Sequence, residues 1–160
     1  MDKILTTKQA AFVAKKLHKD KRNIVLVGGC FDILHIGHIT FLENAKKQGD
    51  VLFVLLENDK TIKKLKGDNR PVNSQEDRGQ ILSHLSIIDY VVMLPEISDN
   101  KIYDSLIINL KPAIIATTTG DVNRSHKERQ AKLVGAKVVD VTNEVSNKST
   151  TRLINILHEI

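Results

Sequence analysis

Short β-branched runs alternate with helix-period segments along the whole of this chain, and that alternation limits its fold more than any other feature. The runs lie at 24–27, 51–56, 90–94, 113–116 and 137–141. Each has the length of a strand buried on both faces, and glycine, proline or charge bounds most of them. Strands alternating with helices predict a parallel sheet covered on both sides. The expectation is an α/β fold: a doubly wound, five-stranded parallel sheet with helices on both faces. Ligands of such sheets bind beyond the carboxyl ends of the strands, near the switch in strand order, so function is sought in the loops after each strand.

The helical segments carry their own signals. Residues 7–18 put Ala10, Phe12, Val13, Ala14 and Leu17 broadly on one side. Residues 38–48 follow the first run, with Gly49 in the position of a helix C-cap. The best marked segment begins after Pro71. Ser74 offers an N-cap oxygen, Asp77 takes the capping-box position, and Ile81, Leu82, Leu85 and Ile88 form the predicted buried stripe. Helices are also expected over 99–110, 125–133 and 150–158, the last with Leu153, Ile154 and Leu157 facing inward. No repeat, low-complexity segment or linker divides the chain. The reading is one domain over 1–160, with a lead-in helix in 1–23 and the core in 24–160.

Composition narrows the classes of partner. No apolar run approaches the roughly 18 residues that span a bilayer. The opening MDKILTTKQAAFVAKKLHKDKR lacks the apolar stretch and cleavage site of a secretion signal. Cys30 is the single cysteine, which rules out an internal disulfide and fits a reducing compartment, so a cytoplasmic location is expected. The net charge of +5 and pI of about 9.3 admit nucleic acid, an anionic membrane or a phosphorylated small molecule. Aromatic residues make up only 4% and tryptophan is absent, so a base-stacking platform is poorly supplied. Positive charge has no long unbroken run of the kind found in nucleic-acid arms. The reading is a phosphate-rich small substrate, with no nucleic acid and no membrane.

The loop after the first run reads Gly28-Gly29-Cys30-Phe31-Asp32-Ile33-Leu34-His35-Ile36-Gly37-His38. Glycines there let the backbone approach a ligand, and the helix that opens near Gly37 and His38 presents free N–H groups and the positive end of its dipole. His35 and His38 can point the same way and donate to phosphate oxygens, the more strongly as charge accumulates in a transition state. No cysteine or carboxylate cluster nearby completes a zinc site. The segment is neither G-x-G-x-x-G nor a G-K-[ST] phosphate loop. After the second run comes a loop with Lys63, Lys64, Lys66 and Arg70, placed to close over β- and γ-phosphates. Near the end, Ser149, Thr150 and Thr151 open a helix, where hydroxyls cap it and can bind phosphate.

GGCFDILHIGH resembles the G-x-F-D-x-x-H-x-G-H signature of the cytidylyltransferase-like nucleotidyltransferases, with Gly29, Phe31, Asp32, His35, Gly37 and His38 matching. Lys66, Gly67, Arg70, Pro71, Asn73, Glu76 and Arg78 match the LKG-x-x-RP-x-N-x-x-E-x-R block of the nucleotidyltransferase domain of bacterial ADP-heptose synthases. STTRLI is similar to the family's S-T-T-x-x-I block, which contacts nucleotide phosphates, and Gly120-Asp121 falls where the family has its base loop. Class I aminoacyl-tRNA synthetases share HIGH but carry a second lysine-rich signature that is absent here. Two stretches depart from the heptose-type pattern: before Gly120-Asp121 the chain reads Ala116-Thr117-Thr118-Thr119 where that pattern has V-K-G-G-D-Y, and Glu144-Val145-Ser146-Asn147-Lys148 replaces E-G-Y or E-G-I.

The resemblance implies transfer of a nucleoside monophosphate from ATP, or from CTP, to a phosphorylated small molecule such as heptose 1-phosphate, with release of pyrophosphate. It implies His35, His38 and Lys66 as catalytic residues. Nucleotide binding would fall to Gly28, Gly29, Cys30, Phe31, Asp32, Gly37, Lys63, Lys64, Arg70, Arg78, Gly120, Asp121, Ser149, Thr150 and Thr151. His35 and His38 would serve the α-phosphate, Lys66 and Arg70 the β- and γ-phosphates, and Asp32 would orient the histidine loop or help position a metal. Mg²⁺ is expected with the triphosphate, held mostly by phosphates and water, with no dedicated protein metal site. Glycerol-phosphate cytidylyltransferase, FMN adenylyltransferase and a non-catalytic nucleotide-binding regulatory domain remain open alternatives. Similar proteins commonly dimerise, so a homodimer is also an open expectation.

Overall fold

The computed structural model describes residues 2–97, 99–143 and 150–158. In chain order its elements are β1 (Ile4–Thr6), α1 (Thr7–Lys19), β2 (Ile24–Gly29), α2 (Ile36–Lys46), β3 (Val51–Leu56), α3 (Asp59–Lys66), α4 (Gln75–Ser83), β4 (Tyr90–Met93), α5 (Asn100–Leu110), β5 (Ile114–Thr118), α6 (Arg124–Val134), β6 (Lys137–Thr142) and α7 (Thr150–His158). The strands form one parallel sheet in the order β1-β4-β3-β2-β5-β6. Strand order reverses between β2 and β5, so the loops after those strands flank the switch point.

The sheet has six strands where five were expected. The strand missed is β1, three residues pairing Ile4, Leu5 and Thr6 with Val91, Val92 and Met93. Only Leu5 of the three is buried, so no apolar run marks the strand. A capping box does mark its end: Gln9 N–H donates to Thr6 Oγ1 at 3.3 Å while the Gln9 side chain holds the Thr6 N–H at 2.8 Å. The segment before residue 24 therefore supplies a strand as well as a helix.

Two apolar layers sandwich the sheet. On one face α1, α5 and α6 contribute Ala10, Val13, Ala14, Leu106, Ile107, Leu110 and Ala131, packed on Ile24, Leu26, Phe53 and Leu55. On the other, Phe41, Leu42 and Ala45 of α2 and Leu82 of α4 meet Val25, Val27, Leu52 and Val54. Alternate residues of β2 and β3 thus serve opposite layers, as strands buried on both faces require. β6 lies at the edge and is only half-buried, which the uniform sequence expectation for 137–141 did not foresee.

Three local expectations are corrected. Gly49 does not cap α2, which ends at Lys46 with Lys47 as its C-cap; a Cβ on Gly49 would lie 2.7 Å from Val25 Cγ2, so close packing fixes that glycine. Ile81 is exposed, because α4 turns Arg78, Gly79 and Leu82 inward, and the helix stops before Leu85 and Ile88. Leu153 of α7 also faces out, while Leu157 falls outside the described side chains.

Leu5→Ala should cost about 2–4 kcal/mol of unfolding free energy if β1 belongs to the cooperative core. Hydrogen exchange should then show the Val91 amide, which donates to Lys3 O at 2.8 Å, losing protection first. An unchanged denaturation midpoint would detach β1 from that core.

Candidate active site

β2 carries the glycine-rich loop to the carboxyl edge of the sheet, where Gly28 and Gly29 stand beside Leu55 and Leu56 of β3. Phe31 then turns back with a left-handed φ of 45°. Its ring folds over Gly29, whose Cβ would lie 2.9 Å from Phe31 Cε2, so only glycine fits beneath it. The loop opens onto a cavity of about 640 Å³, a size suited to a small-molecule ligand. Gly28, Gly29, Cys30, Phe31, His35, Gly37, His38, Lys66, Asp121, Thr150 and Thr151 all line it. A larger, more open depression of about 930 Å³ lies near the opposite strand ends, beside Ile24 and Ala113, and holds none of the motif residues.

His35 is the N-cap of α2: its Nδ1 accepts the Gly37 N–H at 3.1 Å, which leaves the ring proton on Nε2. His38, one turn on, stacks against it with ring centroids 3.9 Å apart and planes inclined by 30°. Phe31 packs on the other side of His38 at 5.3 Å. The His38 Nδ1 is buried without a hydrogen-bond partner among the described residues, so Nε2 is its polar edge toward the cavity. Burial, then the neighbouring His35 and Lys66, pull the His38 pKa down to about 4, and burial lowers that of His35. Both rings are therefore neutral donors at neutral pH.

Beneath the histidine loop lies a clasp of buried charge. The Asp32 carboxylate accepts from Arg70 Nε at 2.7 Å, from the Val72 N–H at 2.9 Å and from the Asn73 N–H at 3.0 Å, and Asn73 Nδ2 donates back to Asp32 O. Burial alone would raise the Asp32 carboxyl, but the Asn73 and Val72 amides and the Arg70 guanidinium hold it below its ordinary value. The Arg70–Pro71 peptide is cis. Arg78 is fully buried and donates to Cys30 O at 2.6 Å, Glu57 O at 2.9 Å, Asn73 O at 3.1 Å and Asp59 Oδ1 at 2.6 Å. It ties together the segments after β2 and β3 and the start of α4.

These contacts relocate several residues expected at the nucleotide. Asp32, Arg70 and Arg78 do not line the cavity, because their charged groups are used up in joining loops. Arg70 Nη2 is buried without a partner among the described residues. The lysine block is not all loop either: Asn58 caps α3 by accepting the Lys60 N–H at 2.8 Å, and Ile62 anchors it. Lys66, exposed in the last turn of α3, lines the cavity beside Leu65. Lys63 and Lys64 point elsewhere, to Asp68 at 3.3 Å and Glu96 at 2.7 Å.

The opposite wall comes from β5, α6 and α7. Asp121 accepts from Thr117 Oγ1 at 2.5 Å and pairs with Lys127 Nζ, which also donates to Thr117 Oγ1 at 2.9 Å. Burial would raise the Asp121 carboxyl, but Lys127 and Thr117 hold it low. Gly120 itself does not line the cavity; it turns the loop with a φ of 79°. Thr150 Oγ1 donates to Ile33 O at 3.0 Å, joining α7 to the histidine loop. Ser149 and the 144–148 departure lie outside the described residues.

The titratable cavity residues that the sequence did not single out are Glu57, Tyr103, His126 and Lys127. Glu57 directly follows β3, so the strand-end rule alone could have raised it. The other three lie inside helices, where nothing in the sequence separates them from solvated or core positions. Cys30 also faces the cavity, but burial pushes its thiol up despite Lys66, so it is a poor nucleophile. Among the described residues no group of three or more His, Cys, Asp or Glu is placed to hold a metal, and no helix is long and apolar enough to cross a membrane.

Residues 26–156 match the model of the cytidylyltransferase-like family, and the chain belongs to that family of nucleotidyltransferases. It is 41% identical over 163 aligned positions to the bifunctional protein HldE of Campylobacter fetus, covering 94% of this chain and 33% of the relative. It is 38% identical to the bifunctional protein HldE of Aliarcobacter butzleri, covering 98% of this chain and 31% of the relative. The chain thus spans about a third of the length of these curated relatives. Among solved structures, a lipopolysaccharide core biosynthesis protein from Thermoplasma volcanium superposes with a TM-score of 0.62 at 27% identity, over 77% of this chain and 97% of that one. Pantoate-β-alanine ligase from Francisella tularensis, with a TM-score of 0.60 at 18% identity over 98% and 78%, shares the fold.

Arg78→Lys should destabilise the protein by about 3–5 kcal/mol in urea denaturation, since an ammonium cannot reach acceptors on several loops at once. Lys64→Ala, which removes only an exposed ion pair, should shift stability by less than about 1 kcal/mol. The histidines give a pH signature. The folded His38 pKa of about 4 lies below its ordinary 6.5, so the unfolded chain binds the extra proton between those values. Its contribution to stability is complete above about pH 6.5 and is lost as the pH falls toward 4. An ¹⁵N-detected titration of the imidazoles in the free protein should show His38 neutral at pH 6; a midpoint near 6.5 would contradict that environment.

Proposed function

We propose that this member of the cytidylyltransferase-like family joins the adenylyl group of ATP to the phosphate of a sugar phosphate of the heptose 1-phosphate type and releases pyrophosphate. The observation that carries the proposal is the stacked pair of neutral imidazoles at the N-terminus of α2, facing one cavity with Lys66. The Lys66–Arg78 block, which resembles that of bacterial ADP-heptose synthases, favours the heptose branch and hence ATP over CTP.

In the reaction an acceptor phosphate oxygen attacks the α-phosphorus, the bond from that phosphorus to the bridging oxygen breaks, and pyrophosphate carries away the electron pair. The Nε2–H of His35 would donate to an α-phosphate oxygen, with the α2 N-terminus supplying further positive potential. His38 would do the same at the bridging oxygen as charge builds there. Both donations strengthen along the reaction, so they lower the barrier more than they tighten binding. Lys66 would neutralise the departing pyrophosphate. The raised Cys30 thiol suits a direct displacement with no covalent enzyme intermediate.

Mg²⁺ would enter with ATP, supplying charge neutralisation and alignment of the phosphates. The residues present fit a metal carried by the substrate: the Asp32 carboxylate is saturated by Arg70, Val72 and Asn73, and that of Asp121 by Thr117, Lys127 and the Asn123 N–H.

Pyrophosphate release, measured with ATP or CTP against heptose, mannose and glycerol phosphates, tests the reading. ATP with a sugar 1-phosphate should be the productive pair, and chelation of divalent cations should abolish turnover. His35→Ala and His38→Ala should each lower kcat by about 10²–10³ with the fold intact. Lys66→Ala should mainly weaken ATP binding. ATP binding without turnover of any acceptor would favour the regulatory alternative, and near-normal kcat in either histidine variant would remove the imidazole mechanism.

A further inference from the structure

Alongside Lys66, the end of β3 brings a carboxylate to the cavity, a charge unsuited to polyphosphate. Glu57, next after β3, and Tyr103, in α5, line the same cavity as His35, His38 and Lys66. Among the described residues neither the Glu57 carboxylate nor the Tyr103 hydroxyl has a hydrogen-bond partner, and neither is sealed from the cavity. Both are nevertheless held in place. The Glu57 N–H donates to Gly29 O at 3.1 Å and Glu57 O accepts from Arg78 at 2.9 Å. The Tyr103 ring packs against the core beneath α5, and its Oη lies 3.5 Å from where a Cβ on Gly28 would sit.

A carboxylate only accepts hydrogen bonds, and it repels phosphate. Its natural complement is an O–H donor. Burial, opposed by Arg78, pushes the Glu57 carboxyl up, while burial and the Glu57 charge push the Tyr103 hydroxyl up, so Tyr103 keeps its proton to donate. The cavity's other wall, with Asp121, Lys127, Thr150 and Thr151, stands beyond the histidines. We infer that Glu57 and Tyr103 form the subsite that reads the acceptor's hydroxyl groups, the carboxylate accepting from one hydroxyl and Tyr103 Oη donating to another. The subsite would select a hydroxylated sugar or polyol phosphate over a plain alkyl phosphate. This rests on the sugar-phosphate reading above. The ribose of the nucleotide offers the same hydroxyl chemistry, and the experiment separates the two sources.

Calorimetric titration of ATP alone, and of heptose, mannose and glucose 1-phosphates in the presence of α,β-methylene-ATP, is compared for wild type, Glu57→Ala, Glu57→Gln and Tyr103→Phe. The acceptor Kd should rise about 10- to 100-fold in Glu57→Ala, less in Glu57→Gln, which keeps an accepting oxygen, and also in Tyr103→Phe. The ATP Kd should stay within about twofold of wild type. For the best acceptor, removing the hydroxyl read by Glu57 should cost wild type as much as the Ala substitution does, and cost Glu57→Ala nothing further. Weakened ATP binding with unchanged acceptor binding would assign the hydroxyls to ribose and overturn the inference. Acceptor binding equal in wild type and all variants would overturn it while leaving the proposed function standing. Wild type that binds ATP but no sugar phosphate would remove the acceptor class, and this subsite with it.

Discussion

One buried guanidinium decides whether the loops at the carboxyl edge of the sheet form a site at all. Arg78 is 0% exposed, and its donors reach the segment after β2, the segment after β3, α3 and the turn before α4. A charge so enclosed is tolerable only when its hydrogen bonds are made, so the folded state either places all of these loops together or pays a large desolvation cost. Asp32 imposes the mirror-image condition, as a buried anion that needs Arg70 and two amides. Between them the two charges lock the backbone of the histidine loop to the 70–74 segment. The motif residues that look most like ligands in the sequence are, in the structure, the frame on which the ligand-facing residues are mounted.

That frame explains how the histidines can remain uncharged beside one another. A cationic pair 3.9 Å apart would be unstable near Lys66 and the positive end of α2. Using His35 as the N-cap resolves the conflict, because its Nδ1 is committed to the Gly37 N–H as an acceptor. The tautomer is set by the helix start itself. The site therefore gets its positive potential from the helix dipole and Lys66, and from the imidazoles it gets directed N–H groups.

The central strands and the order of helices were legible because period-2 and period-3.6 patterns report burial, and β2 to β5 are buried enough to show it. β1 was not, since it has one buried residue and takes its stability from pairing with β4. Lys66 was found by its motif and reaches the cavity from the last turn of α3, which Ile62 anchors. Arg70 and Arg78 were found by the same motif and misplaced, because a sequence shows that a charge is required without showing whether solvent or a carbonyl answers it. Tyr103 and Lys127 were invisible for the opposite reason: each is an ordinary helix residue until the crossover brings α5 and α6 over the switch point.

The departure at 116–119 becomes intelligible on the same terms. The heptose-type pattern has a lysine on this loop, and here threonine stands there. The structure brings a lysine to the same loop from α6, where Lys127 binds Asp121 and Thr117 together. Thr117 is fully buried and its hydroxyl completes that triangle, while Thr118, at the place of the pattern's lysine, lines the cavity. A positive group thus stands at this wall, carried by a helix. Because Asp121 already neutralises Lys127, the wall offers a weaker and more directional attraction to an anion than a free lysine would. The stronger unshared cation in the cavity is Lys66, across the histidines, and polyphosphate charge should settle toward it.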